Sequence, residues 1–438
     1  MPAIVPFRGV RFNPDKISFI SRVIAPPYDV IDPPLEQELL QRDPHNFVRI
    51  TLGKTPPGGR PDEAYRACAE HLRQWRETGV LVQEPEPAIY VVQQTFPLGA
   101  EELIRLGFIA AVRLEELGRG SIFPHERTFG GPRVDRLKLM AACRASLSQI
   151  LGVYSDPNTE ADRLIGRLCT GQPLFSFRDD DGVGHLVWRV TDADAIRDLQ
   201  ALLRERILFI ADGHHRYESA LRYSRAGPTG GRGNAPEDYL PMLCISVENA
   251  GLRALPTHRR ARARVKRSPE QVLSALEGSF AIEPVKVMNA EGLQGDYDAA
   301  RGADACIGLY PGGQRLYLLR PRDAASLRPR FPASADAWWK LPVCLLHHVV
   351  LPDALDLHPG TPEEADHIDY RRDAGQIYWG VESGQFDAGF LLPPIDPRTV
   401  QRVASEGERL PQKSTYFHPK IPSGLVFYTH EPATLQRP

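Results

Sequence analysis

The 438-residue chain has no uninterrupted apolar run near the roughly 18 residues that a membrane-spanning helix needs, so no transmembrane segment is expected. Its start, "MPAIVPFRGVRF", sets Pro and Arg where a secretory leader needs apolar continuity, so no signal peptide is expected. Cysteine is scarce and scattered: Cys68, Cys143, Cys169, Cys244, Cys306 and Cys344 form no Cys-x-x-Cys pair. That spacing argues against a zinc cluster, and thiols set in apolar runs suit a cytoplasmic protein. Charge of neither sign dominates, with 53 Lys and Arg against 55 Asp and Glu. No global field then favours nucleic acid or an anionic membrane, and any cationic site must be local.

Several catalytic signatures are missing too. "LGKT" (52–55) has Val48 where a P-loop needs its first glycine, and two prolines follow where a helix should begin. Ser414 lacks a Gly-x-Ser-x-Gly elbow. "DDDG" (179–182) lacks the alternating ligands of a calcium loop and reads as a hairpin turn. The histidines His347, His348, His358 and His367, with Glu363, Asp366 and Asp369, have no metalloprotease spacing and read as helix and loop residues.

What is present is an ordinary globular composition, 42% hydrophobic and 25% charged, in a chain long enough for two domains. "FVRITLG", "AIYVVQQTF", "LIRLGFIAAVRL" and "EDYLPMLCISV" read as strands, the middle two as an antiparallel pair. The segment from Asp62 and "VDRLKLMAACRASLSQIL" read as helices. Strands and helices in irregular order indicate an α+β fold. The Gly- and Pro-rich stretch 226–238 reads as a mobile loop and domain edge, dividing the chain into 1–235 and 236–438, with the second part folding back on the site of the first.

"ILFIADGHHRYESAL" (207–221) carries the strongest functional signal. A buried strand ends in Asp212 and Gly213, and a helix with Tyr217, Ala220 and Leu221 on its buried side begins at His214. Free N–H groups of a helix start beside His214, His215 and Arg216 make a corner suited to phosphate. Asp212 would cap the helix or hold magnesium; the plainer alternative is an N-cap beside packed histidines.

Other segments add candidates. "PHERT" (124–128) is a loop carrying His125, Glu126 and Arg127; Glu126 is a candidate proton acceptor, unless it only pairs with Arg127 or Arg133. "APPYDVI" (25–31) offers Tyr28, with Asp29 as a ligand for magnesium or a substrate amine, unless this is a plain proline turn. "PTHRRARARVKR" (256–267) alternates Arg with small residues and lacks aromatics for base stacking. It reads as an edge strand with a solvated face, His258 and Arg259 being candidate phosphate or carboxylate ligands. "KSTYFHPK" (413–420) is a loop-like segment in which Lys413, Ser414, Thr415 and Lys420 could hold an anion.

"ADGHHRYESAL" resembles the signature of the ParB/sulfiredoxin-like superfamily, whose members bind nucleotide phosphates at this turn. Its Asp-Gly-His-His-Arg form is similar to that of free L-serine kinases. The order "APPYDVI", "PHERT", "ADGHHRYE", "PTHR", "KSTYFHPK" resembles a bacterial family over nearly the whole chain. Departures narrow the resemblance. His214 stands where sulfiredoxins need cysteine, excluding sulfinic acid reduction, and the Glu-Arg-Arg run and recognition helix of the DNA-partitioning members are missing.

The resemblance implies a ParB/sulfiredoxin-like mixed core with inserts plus a second α+β region. It implies a kinase of serine metabolism that moves a phosphoryl group from ATP, ADP or pyrophosphate to the hydroxyl of a small amino acid, most directly L-serine, reversibly with pyrophosphate. Gly213, His214, His215, Arg216, His258, Arg259 and Lys413 would hold phosphate. Tyr28, Asp29, His125, Arg127, Ser414 and Thr415 would face the substrate. Asp29 or Asp212 would bind Mg2+, and Glu126, His214, His215 and Asp212 would be catalytic. Partners are then a small-molecule substrate and, as an open arrangement, a second copy in a homodimer, with no nucleic acid and no membrane. The alternative is a nucleotide-binding regulatory switch without turnover.

Overall fold

Runs of β-branched, aromatic and aliphatic residues build the long strands, and Gly, Pro and Asp clusters end them. The structure, a computed structural model, describes residues 2–53, 59–126, 130–231, 233, 235–358 and 364–435. It is a mixed α+β fold whose chain divides into two compact units. One comprises Met1–Pro124, Thr128–Arg253 and Phe417–Pro438, and the other His125–Arg127 and Ala254–Tyr416. The divide expected at 235–236 therefore falls between Arg253 and Ala254, and the last residues belong to the first unit.

The first unit holds β1 (Ile4–Val5), α1 (Pro61–Glu77), β2 (Ile89–Leu98), β3 (Glu101–Arg113), β4 (Ile122–Pro124), α2 (Gly130–Cys143), β5 (Ile150–Tyr154), β6 (Phe175–Arg178), β7 (Gly184–Val190), β8 (Leu208–Asp212), α3 (His214–Ala226) and β9 (Tyr239–Ser246). Among the described residues its nine-stranded sheet runs β4-β8-β5-β9-β3-β2-β7-β6, with β1 also on β3. The β2–β3 pair is antiparallel, as its sequence pattern predicts, and so is the β6–β7 hairpin. β8 lies parallel to β4 and antiparallel to β5. The core gathers Ile89, Phe108, Ile150, Leu208, Ile210, Tyr217 and Met242, each such side chain contributing roughly 1.5–3 kcal/mol by leaving water.

Two expectations are corrected here. "FVRITLG" forms a helical turn, Val48–Thr51, instead of a strand. The buried Asn46 accepts the Val48 N–H at 3.0 Å and donates to Arg22 O and Ile24 O, so a tertiary cap overrides β propensity. The 226–238 loop is no domain edge, since strands of one sheet flank it. Buried Asp238 ties it down, accepting from Ser224 Oγ (2.5 Å), Thr229 Oγ1 (2.9 Å) and Ala235 N (3.1 Å).

The second unit carries an antiparallel sheet of β10 (His258–Ala261), β11 (Phe280–Lys286), β12 (Ile307–Tyr310), β13 (Arg315–Pro321), β14 (Ile368–Arg371) and β15 (Ala388–Leu391), ordered β11-β13-β12-β15-β10-β14. Phe280, Leu309, Trp338, Leu346, Val349 and Phe390 form its core. β10 is flanked on both sides, by β15 and β14, so the expected edge strand is an interior one. His258 and Arg259 are fully buried there.

Candidate functional site

The corner at the end of β8 is built by a register slip. β8 pairs Ile210 with Gly152 but Asp212 with Leu151, a bulge that re-aims Asp212 where the strand ends. Gly213 follows at φ +94° and serves as the N-cap of α3. The N-cap glycine itself has no side chain with which to cap the helix. The first turn brings the positive end of a 13-residue helix dipole to the corner.

Asp212 organises cations. Its Oδ2 accepts from Arg216 Nη2 at 2.7 Å, one helical turn on, and its Oδ1 accepts from Lys420 Nζ. Arg216 is buried and also donates to Ser148 Oγ at 3.1 Å and to Gln149 O. Arg105, fully buried on β3, adds a third cation. Burial pulls its pKa down to about 9 and the Asp212 charge pulls it back up, so it stays protonated at neutral pH. Arg216 and Lys420 thus pair directly with Asp212, and Arg105 lies close enough to feel its charge. His214, buried, and His215, half-buried, occupy the first turn of α3.

Gly213 is required twice over. Its φ lies in the left-handed region, and a Cβ would stand 3.0 Å from the Arg216 guanidinium. Gly213→Ala should therefore cost about 1–3 kcal/mol of stability and displace Arg216. A melting curve and an anion-binding titration check this; an unchanged titration would show that Arg216 does not need the glycine.

Tyr28 and Arg216, distant in sequence, line one cavity of about 40 Å³ together with Ser148, Arg136 and Ser423. The Arg136 guanidinium lies 4.0 Å over the Tyr28 ring. Asp29, next along a short 3-10 turn, is exposed.

The remaining candidates assemble in the second unit. His125, fully buried, has Nε2 2.9 Å from Thr415 Oγ1. Glu126 Oε1 accepts the Lys413 N–H at 2.8 Å, and its Oε2 lies 3.9 Å from His125 Nε2. Leu410 N donates to His125 O at 2.7 Å, drawing the segment from Leu410 onward against His125 and Glu126. Lys413 adopts φ +53°, and buried Ser414 donates to Pro411 O. Arg259 donates to the carbonyls of Thr257, Gln412 (3.2 Å) and Lys413 (3.1 Å). Instead of lying open for a phosphate, this guanidinium organises the loop. Arg127 lies outside the described residues.

His258, expected as a phosphate or carboxylate ligand, is fully buried on β10. Burial, reinforced by Arg259, lowers its pKa to about 4, so at pH 7 it is neutral, and its Nδ1 accepts from Leu392 N at 3.2 Å. The unfolded chain, near pKa 6.5, binds this proton first, so the stabilising effect is full above pH 6.5 and is lost as pH falls toward 4. Unfolding free energy should drop by about 2 kcal/mol between pH 7 and pH 5 through this group. Urea midpoints at both pH values should show a weaker drop in His258→Gln, and an equal drop would assign the dependence elsewhere.

The magnesium expectation fits poorly. Both Asp212 oxygens already pair with cations, Asp29 offers one exposed carboxylate, and no group of three His, Cys, Asp or Glu among the described residues could hold a metal ion. All six cysteines are free, and no described helix is long and apolar enough to cross a membrane. Sequence reading did not place Lys420 and Arg105 at the Asp212 corner. Lys420 sits in the same motif as Lys413, and Arg105 is a lone charge on the apolar face of a strand pattern, signals that could have found both.

No curated protein matches the chain at a significant level. Solved structures give distant likenesses. A conserved hypothetical protein from Pyrococcus furiosus is 13% identical, with 70% of this chain and 92% of that one covered, at a TM-score of 0.34. A free serine kinase in complex with AMP is 13% identical over 72% and 94%, at 0.31. SbnI with C-terminal truncation from Staphylococcus aureus is 11% identical over 74% and 87%, at 0.37. Scores this low carry no argument about activity. The family profile described as "Protein of unknown function (DUF1015)" matches residues 4–344, most of the chain, and the protein belongs to that family.

Proposed function

We propose that the protein is a cytoplasmic phosphotransferase that moves a phosphoryl group from a nucleotide or pyrophosphate to the hydroxyl of a small amino acid, with L-serine as the first acceptor to test. The observation that carries this reading is the Asp212 corner: Arg216 and Lys420 pair with one carboxylate at the start of α3, within electrostatic reach of Arg105. Phosphoryl transfer asks a protein mainly for positioning and charge neutralisation, and a multiply charged phosphate suits a corner with these cations. Asp212 keeps the cations in place until the phosphate arrives. Tyr28 and Ser148 line the cavity with Arg216 and are the contacts proposed for an acceptor. The proton acceptor proposed from the "PHERT" motif is Glu126, whose carboxylate accepts the Lys413 N–H within the second unit. The choice of serine rests on the Asp-Gly-His-His-Arg resemblance.

The test incubates the protein and L-serine with ATP, ADP or pyrophosphate, with and without magnesium, and looks for phosphoserine by mass spectrometry. Other small hydroxy amino acids run in parallel. Product from any acceptor supports transfer; anion binding without product favours a nucleotide-binding regulatory switch.

A further inference from the structure

We infer that Arg105 and Gln94 form a buried positioning clamp that delivers Lys420 to Asp212. Both are about 1% exposed and face each other across the β2–β3 ladder, at the pair Gln94–Arg105. Gln94 Oε1 accepts from Arg105 Nε at 3.0 Å and again from Arg105 Nη2. The same Nη2 donates to Pro419 O, and Gln94 Nε2 donates to Lys420 O at 3.2 Å. Two successive carbonyls of the 419–420 turn are thus gripped by one pair of side chains, and the lysine leaving that turn meets Asp212 Oδ1. Among the described residues Arg105 donates to no carboxylate, and a buried guanidinium held only by an amide and a carbonyl is costly. That cost is offset if the cation works through the turn it grips and through the field of Asp212. The planar fork of arginine suits such a grip where lysine would not.

This inference deepens the proposed phosphate site, but its first test does not depend on it. The intact protein is treated with an amine-acylating reagent, and labelling of each lysine is followed by mass spectrometry. Lys420, 14% exposed and paired, should react slowly. Arg105→Lys should raise its rate at least ~5-fold while Lys16, Lys138 and Lys340 keep theirs, a selectivity that general loosening would not give. Should Arg105→Lys fold poorly, Gln94→Glu keeps a partner for Arg105 but loses the amide donor to Lys420 O, and it should release Lys420 likewise. An unchanged Lys420 rate in folded variants overturns the clamp.

The second test is pyrophosphate binding by calorimetry. The clamp predicts at least ~10-fold weaker binding in both variants, with Lys420→Met equally weakened. If wild type binds no pyrophosphate yet Lys420 is released in the variants, the phosphate reading fails and the clamp stands. If pyrophosphate binds equally well to wild type and to the two clamp variants, the clamp has no role in the site and the inference fails.

Discussion

Arg216→Met should reduce phosphoryl transfer by at least ~100-fold, about 2.7 kcal/mol of transition-state stabilisation. The residue is buried and makes the Asp212 bond from α3. It reaches Ser148 and Gln149 just before β5, so one guanidinium joins the helix start to the segment leading into that strand. Methionine keeps much of the volume and removes every donor. Asp212 then retains Lys420 as its cation, which should keep the fold while the corner loses charge. Binding of pyrophosphate or ATP, measured by calorimetry, should weaken in step with turnover, because phosphate in both ground and transition state meets the same cation. Arg216→Lys restores the charge but not the fork and should recover only part of the loss. Full activity in Arg216→Met would mean that the anion does not bind at this corner.

Glu126→Gln should behave differently. Glutamine keeps the shape and can still accept the Lys413 N–H, so the His125–Thr415 pair and the loop around it should survive. What disappears is the ability to take a proton. Loss of a positioned base lowers turnover by about 10²–10⁴-fold, while donor affinity should stay within about twofold. The contrast with Arg216→Met is the useful part: one variant loses binding and turnover together, the other turnover alone. A Glu126→Gln protein that transfers phosphate at the wild-type rate would remove Glu126 from the chemistry. If no transfer is found in either form while nucleotide binding persists, the regulatory reading is favoured.

Particular segments explain how much could be read in advance. β2 and β3 and the β6–β7 hairpin follow from alternation and turn residues, because strand periodicity is a local property. β8 running into α3 is equally local, since Asp-Gly followed by an amphipathic run marks the junction. "FVRITLG" misled because the Asn46 side chain, buried by distant parts of the chain, capped a turn there. "HRRA" looked like an edge because alternating arginines suggest solvent, yet two strands from later in the chain enclose it and bury Arg259 against loop carbonyls.

The amino-acid sequence alone determined that this is an α+β protein with an ionisable strand-to-helix corner at Asp212–Arg216, since composition, periodicity and turn chemistry act over a few residues. Only the tertiary structure decided what each ionisable group does. It gave Asp212 two cationic partners, took His258 out of the charged state by burial, turned Arg259 onto carbonyls and brought Lys420 and Arg105 to the corner. Those outcomes depend on contacts between residues tens to hundreds of positions apart and on the loss of water around them, neither of which a local pattern encodes.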